Sequence, residues 1–306
     1  MMIDLPARGY RGRIYLGSFL RYRPLWLNYD GSEELTDFQV KCTLTNKDIA
    51  FEKLRADKRD LLFIAYDGQL IPYWIESFND TEIIVWLKFP KIIPGKEVFW
   101  LYYGNGNFSG ISDASLVFDF FDDFENYADG DVPNYFTNIK LGSWGSAGGV
   151  SYEVVIYDEK KMLKVFAPND GDYGIIAVDV NLQNKIVESE GILASHIDGD
   201  FLGLAVRTID ANQYVAGRAQ ARDDWIDVID ESDRVSKTVT IDVGVYYNLK
   251  LIAFENRATF YVGDDSIQKT IPIRSGKIGI FYGECDARYD YIRVRKYTSP
   301  EPSVST

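Results

Sequence analysis

The sequence predicts an all-β chain folded as two antiparallel β-sandwich modules in tandem. Apolar residues alternate in short runs, and turn residues interrupt those runs at close intervals. No stretch sustains the 3.6-residue period of an amphipathic helix, so the helix content is expected to fall far below the roughly one-third typical of soluble domains. A Gly/Asn/Ser-rich connection between Gly104 and Ala114, followed by an acidic run, divides the chain where one set of strands ends and another begins.

The 306 residues suffice for one large domain or two of ordinary size. Aromatics make up 15% of them, with 21 Tyr and 6 Trp, which is enough to bury real cores. The net charge of -13 opposes binding to a phosphate backbone, so no nucleic-acid partner is expected. Only the start is basic, where Arg8, Arg11, Arg13, Arg21 and Arg23 outnumber Asp4. Cys42 alternates with Phe38, Val40 and Leu44 and Cys285 lies in the other module, so buried thiols are expected rather than a disulfide. His196 is the one histidine, which removes His-rich zinc sites and a clear Ser-His-Asp triad. No stretch is long and apolar enough to cross a bilayer, so no membrane insertion is expected. Residues Met1 to Tyr15 hold no apolar run of signal-peptide type, so either a leader has been removed or the protein reaches its place by another route.

Residues 1–19 are expected to be an extension or first strand, and residues 20–113 the first sandwich. Leu61 to Tyr66 leads into Asp67-Gly68, a hairpin signal because Gly accepts positive φ at low cost. Leu70 to Ile75 follows, then a turn at Asn79-Asp80 and a strand over Thr81 to Phe89. Pro72 places its run at a sheet edge. Pro90, Pro94 and Gly95 break the pattern before Val98 to Tyr103. Trp74, Trp86 and Trp100 sit among aliphatics and are expected to pack in the core rather than form a sugar platform, and Glu76 has no second carboxylate at a catalytic spacing.

Arg21-Tyr-Arg-Pro24, Leu35 to Val40, Tyr66-Asp-Gly68, Tyr73-Trp-Ile-Glu76, Val85-Trp86 and Tyr102-Tyr-Gly-Asn105 fall in the order and spacing of one family. Over about residues 20 to 118 the chain resembles the module called domain of unknown function 2341, which occurs in large secreted and surface proteins of archaea and bacteria. Phe19-Leu20 stands where that family usually has a Trp, and Lys58-Arg-Asp-Leu61 replaces its Gly-Asp-Asp-Ile/Leu segment. The resemblance implies an extracellular or cell-surface setting and supplies no activity.

Residues 114–298 are expected to form the second sandwich, with 299–306 as a tail. Its strands are Gly174 to Val180, Phe201 to Arg207, Gln213 to Arg218, Tyr246 to Ile252, Ala258 to Val262 and Gly276 to Tyr282, long enough together for a two-sheet jelly roll. In Gln213 to Trp225 alternation puts Tyr214, Ala216, Arg218, Gln220, Arg222 and Asp224 on one face, with Val215, Gly217, Ala219 and Ala221 on a tightly packed core face. Arg207 is expected to join the polar face from the preceding strand. Guanidinium and amide groups suit sugar hydroxyls or carboxylates, and Trp144, Tyr173 or Trp225 can stack on a pyranose. A solvated strand face carrying Arg–Asp pairs is the plain alternative, and the run Asp223 to Asp233 is most simply a polar loop.

The Asp-Asp-Phe-Glu start, the Gly203-Leu-Ala-Val-Arg207 hairpin with Asn212-Gln-Tyr214, the Tyr-Asn-Leu-Lys strand and the closing Asp290-Tyr-Ile-Arg-Val294 resemble the concanavalin-like, or laminin-G-like, lectin jelly roll. That resemblance implies binding of a polysaccharide or surface glycan, often with structural calcium, while some relatives cleave glycans. Phe124-Glu125 followed by Asp129-Gly130 is similar to the Phe-Glu-x-Gly opening of calcium-binding carbohydrate modules, with three residues inserted. The first and last strands of such sandwiches lie side by side, which brings Asp290 toward Glu125 and Asp129 as calcium ligands. Asp223 to Glu231 lacks the Glu-x-Asp-x-Glu pattern of laminarinase-like glycosidases, whereas Tyr214, Arg218 and His196 leave a lyase open. A non-catalytic glycan-binding or adhesion protein is therefore the leading expectation. A self-assembling structural protein of a surface layer, filament or virion is the alternative, and a polysaccharide-degrading enzyme the third.

Overall fold

A computed structural model describes residues 2–4, 13–141, 150–169, 171–195, 197 and 199–306. The chain divides into two compact units, Met1–Phe118 with Thr298–Thr306, and Asp119–Tyr297. Among the described residues the helical segments are α1 (Ala114–Val117) and two 3-10 turns, Leu16–Ser18 and Phe51–Lys53. Everything else that is regular is antiparallel strand.

In the first unit the strands are β1 (Met2–Asp4), β2 (Arg13–Tyr15), β3 (Arg21–Tyr29), β4 (Leu35–Thr45), β5 (Leu62–Ala65), β6 (Tyr73–Phe78), β7 (Glu82–Ile92) and β8 (Gly95–Tyr103). The second unit holds β9 (Phe120–Asp122), β10 (Thr137–Lys140), β11 (Ser151–Tyr157), β12 (Lys160–Phe166), β13 (Tyr173–Leu182), β14 (Lys185–Ser195), β15 (Phe201–Asp210) and β16 (Gln213–Gln220). It continues with β17 (Trp225–Asp230), β18 (Arg234–Thr238), β19 (Tyr246–Phe254), β20 (Arg257–Val262), β21 (Asp265–Thr270), β22 (Gly276–Gly283), β23 (Asp286–Tyr289) and β24 (Ile292–Lys296). The last strand, β25 (Ser303–Ser305), returns to the first unit.

In the first unit a sheet ordered β25-β3-β8-β5 packs with a sheet ordered β4-β7-β6 around Leu25, Leu27, Phe63, Phe89, Phe99 and Leu101. Pro72 lies just before β6, which is an edge strand paired only to β7, as a residue without an N–H requires. Cys42 is buried in this core, and burial pushes its thiol up to about 12. Cys285 is equally buried in the second unit, and both thiols are free.

Two boundaries differ from the sequence reading. The opening residues hold the short strands β1 and β2, and Leu16 and Phe19 belong to the first core. The first unit also runs past residue 113 to Phe118, whose ring meets Trp74 and Trp86 edge-on at 5.6 Å each. The closing residues are no tail, because Ser303, Val304 and Ser305 pair with Asn28, Leu27 and Trp26. Chain-distant pairing of this kind leaves no local signature in the sequence.

The second unit is a two-sheet jelly roll. One sheet has seven strands ordered β10-β13-β22-β15-β16-β17-β18. The other has nine, ordered β11-β12-β23-β14-β19-β20-β21, with β24 on β14 and β9 on β24. Between them lie Leu202, Leu204, Val206, Val215, Ala219, Ile226, Val228, Phe260 and Ile280. The small residues on the core face of β16 have a direct cause: a Cβ on Gly217 would stand 2.3 Å from the Phe260 ring of the opposite sheet.

Candidate functional site

The outward face of the seven-stranded sheet gathers most of the residues singled out for ligand binding. Register places Gln220 opposite Phe201 on one side and Trp225 on the other, and Arg218 opposite Asp227. Ile175 pairs with Phe281, which puts Tyr173, two residues earlier on β13, on the same face. A second apolar cluster results, with Ile175, Ala177, Phe201, Ala205, Ala216 and Phe281 buried and Tyr173, Tyr214 and Trp225 half-buried against it. Both faces of this sheet are therefore apolar.

Phe201 is the centre of the cluster. Its ring lies 5.5 Å from Tyr173, 5.6 Å from Trp225 and 6.1 Å from Phe281. Gly283 makes room, since a Cβ there would meet the Tyr173 ring at 2.4 Å and the Phe201 ring at 3.0 Å. Over these rings lies the Arg218 guanidinium, 5.2 Å from Phe201, 5.3 Å from Trp225 and 5.2 Å from Phe281. Asp227 fixes it from the neighbouring strand, accepting from Nε at 2.9 Å and from Nη2 at 2.5 Å. Burial pushes the Asp227 carboxyl up against the opposing pull of Arg218. Burial likewise raises the Tyr214 hydroxyl, while Arg218 pulls it down.

Gln220 completes the face. It is 6% exposed, and its Oε1 is buried with no hydrogen-bond partner. Buried polar atoms are nearly always satisfied, so this acceptor is an exception within the fold. At the sheet edge Arg234 sits 5.4 Å from the Trp225 ring.

Two expected members of the face are elsewhere. Arg207 has φ +51 and lies at a bulge where the register of β15 shifts, so alternation fails there. Its fully buried side chain donates to the carbonyls of Gln183, at 3.2 and 3.1 Å, and of Pro272 at 2.7 Å. Burial, with Arg274 nearby, lowers it to about 10. Arg222 falls in the turn after β16 because that strand ends at Gln220. Trp144 and His196 lie outside the described residues.

Sequence reasoning missed Phe201, Phe281, Asp227 and Arg234. The run from Asp223 is not one loop, for Trp225–Asp230 is a strand. Its alternation of Trp, Asp and Ile against Ile, Val and Asp was the available signal, obscured by the density of acids around it.

Two of the expected calcium ligands, Asp290 and Asp129, have protein partners. β9 and β24 do pair, Phe121 opposite Arg293, so the opening and closing strands lie side by side. Asp290, however, accepts from Lys160 Nζ at 3.2 Å, and the same ammonium reaches Glu190 at 3.1 Å. Asp129 Oδ1 accepts from the Ile156 amide at 3.1 Å, and the Glu125 side chain is exposed. No group of three His, Cys, Asp or Glu able to hold a metal occurs among the described residues. No helix among them is long and apolar enough to cross a membrane.

The family profile described as domain of unknown function (DUF2341) matches residues 57–144. No curated protein matches the chain in sequence. Among solved structures, the carbohydrate binding module CBM66 from Bacillus subtilis is 16% identical, with 51% of this chain and 97% of that one covered and a TM-score of 0.43. A Bacillus licheniformis beta-glucanase is 13% identical over 58% of this chain and 98% of its own, with a TM-score of 0.39. The Caenorhabditis elegans galectin LEC-6 is 9% identical over 38% and 89%, with a TM-score of 0.30.

Proposed function

We propose that this is a non-catalytic glycan-binding protein of the cell exterior, and that the second unit takes its glycan on the outward face of the seven-stranded sheet. The unpartnered Gln220 Oε1 carries the reading. Leaving such an acceptor buried costs about 1–3 kcal/mol, and a sugar hydroxyl donates the missing hydrogen bond. Half-buried rings of Trp225, Tyr173 and Tyr214 stand on the same face for the apolar side of a pyranose. Arg218 is held rigid by Asp227, so little ordering is needed on binding. Hydrolysis by paired carboxylates asks for two acids on one face. The outward positions of β17 are Trp225, Asp227 and Ile229, with one acid that is already engaged.

A glycan array probed with the full chain, with and without calcium, tests the proposal. Gln220→Ala and Trp225→Ala should each weaken binding about tenfold, or 1.4 kcal/mol. Unchanged affinity in both variants sinks the assignment. Release of reducing or unsaturated ends from a bound polysaccharide would replace it with an enzyme, and spontaneous assembly without glycan binding would favour a structural brick.

A further inference from the structure

The tryptophans of the first unit are not equivalent. Trp74 and Trp86 face Phe118, and Trp86 is buried. Trp100 is half-buried against the first core and shares its side of the sheet β25-β3-β8-β5 with the exposed rings of β3. On β3 and β8, Leu25, Leu27, Tyr29, Phe99 and Leu101 point into the core, so alternation turns Tyr22, Pro24, Trp26 and Asn28 outward. Register sets them opposite Tyr102, Trp100, Val98 and Lys96 in that order.

Tyr22 is 66% and Trp26 36% exposed. The rings brace one another, with Tyr22 5.8 Å from Trp100 and 5.9 Å from Tyr102. Lys96 Nζ lies 4.5 Å from the Trp26 ring. At the margin β25 sets Ser303 beside Asn28 and Ser305 beside Trp26, and Asn28 Nδ2 donates to Ser305 Oγ at 3.1 Å.

An antiparallel sheet ordinarily turns polar residues outward. Here the outward positions of β3 from Tyr22 to Asn28 hold no charge, on a chain whose net charge is -13. On the far side of β8 this face is closed, since Leu62 and Ile64 of β5 are buried opposite Tyr102 and Trp100. We propose that the open strip along β3 is a second binding surface, for a neutral polysaccharide laid along the strand. Charge selects the occupant. A nucleic acid or an acidic polysaccharide needs a set of cations to follow its backbone. The outward positions of β3 and β8 offer Lys96, and it is stacked on Trp26. A neutral glycan matches what is present: apolar C–H faces for the rings, and hydroxyls for Asn28, Ser303 and Ser305. Because the rings are already braced, little side-chain freedom is lost on binding. This surface lies on the first unit and is independent of the Gln220 face.

The test is co-sedimentation of the full chain with microcrystalline cellulose, chitin and insoluble β-1,3-glucan, with heparin-agarose as the polyanion control. Wild type should be retained by at least one of the three neutral solids, and retention should survive about 0.5 M salt. Tyr22→Ala with Trp26→Ala should lower the affinity about tenfold at an unchanged unfolding midpoint. In a Gln220→Ala, Trp225→Ala background the β3 variants should still lower retention about tenfold, which separates this surface from the first. If the double variant at β3 fails to fold, Tyr22→Ser alone decides, and it should still reduce retention. No retention of wild type on any neutral solid overturns the proposal. So does equal retention by the β3 variants, retention on heparin-agarose alone, or a wild-type dimer that Trp26→Ala dissociates.

Discussion

Lys185 reaches from β14 across to the opposite sheet, where its Nζ donates to the Gly276 carbonyl at 2.6 Å and to Val180 at 3.2 Å. The side chain is fully buried. Burial, then the nearby Arg207, lowers its pKa from the ordinary 10.5 to about 7, with Asp119 pulling the other way. The unfolded chain therefore binds the extra proton between pH 7 and 10.5, so stability contributed by this residue rises with pH across that window and is flat below it. Urea unfolding at several pH values should show wild type gaining on Lys185→Met, by on the order of 4 kcal/mol between about pH 7 and 10. A gap that stays constant with pH would refute this.

Arg218→Ala is expected to cost stability as well as binding. Removing one partner of a buried ion pair strands the other, at about 3–5 kcal/mol. Arg218→Met combined with Asp227→Leu should cost clearly less than either single change in urea unfolding. Equal or additive losses would count against the pair.

Deleting residues 298–306 should loosen the first unit and leave the second untouched. β25 pairs with β3, Val304 packs against the first core, and Thr306 Oγ1 donates to Asp48 Oδ1 at 2.8 Å. Hydrogen exchange should quicken at Trp26 to Asn28 and stay unchanged through β15 and β16. Equal protection in the shortened chain would make β25 an idle contact.

Thermal unfolding in millimolar calcium and in excess chelator is expected to give one midpoint, since Lys160 already supplies the positive charge at Asp290 and Glu190. Burial raises the Asp290 carboxyl, with the lysine opposing it. A higher midpoint in calcium would instead place a metal at Glu125, Asp129 and Asp290 by mass action.

Much of the fold was legible because alternation is local. Phe201 to Val206 and Gly276 to Tyr282 announce themselves, and Gly217 with Ala219 correctly signalled a crowded core face. The site was harder to see. Arg207 lies at a bulge, which shifts parity without leaving a mark in residue type. Asp227 hid within an acidic run, although its strand decides what Arg218 does. The return of β25 to β3 joins residues hundreds of positions apart, and no periodicity encodes that.

A sheet that is apolar on both sides has a hazard of its own. When one face is polar, slipping a strand by one residue buries the wrong side chains and is punished along its whole length. Between β16 and β17 most of that punishment is missing, since Ala216 and Ile229 are about as greasy as Ala219 and Val228. The guanidinium and carboxylate of Arg218 and Asp227 restore it, because any odd shift would drive a charge into the interior of the jelly roll. Their pairing thus marks one register of these two strands, whether or not a sugar ever arrives.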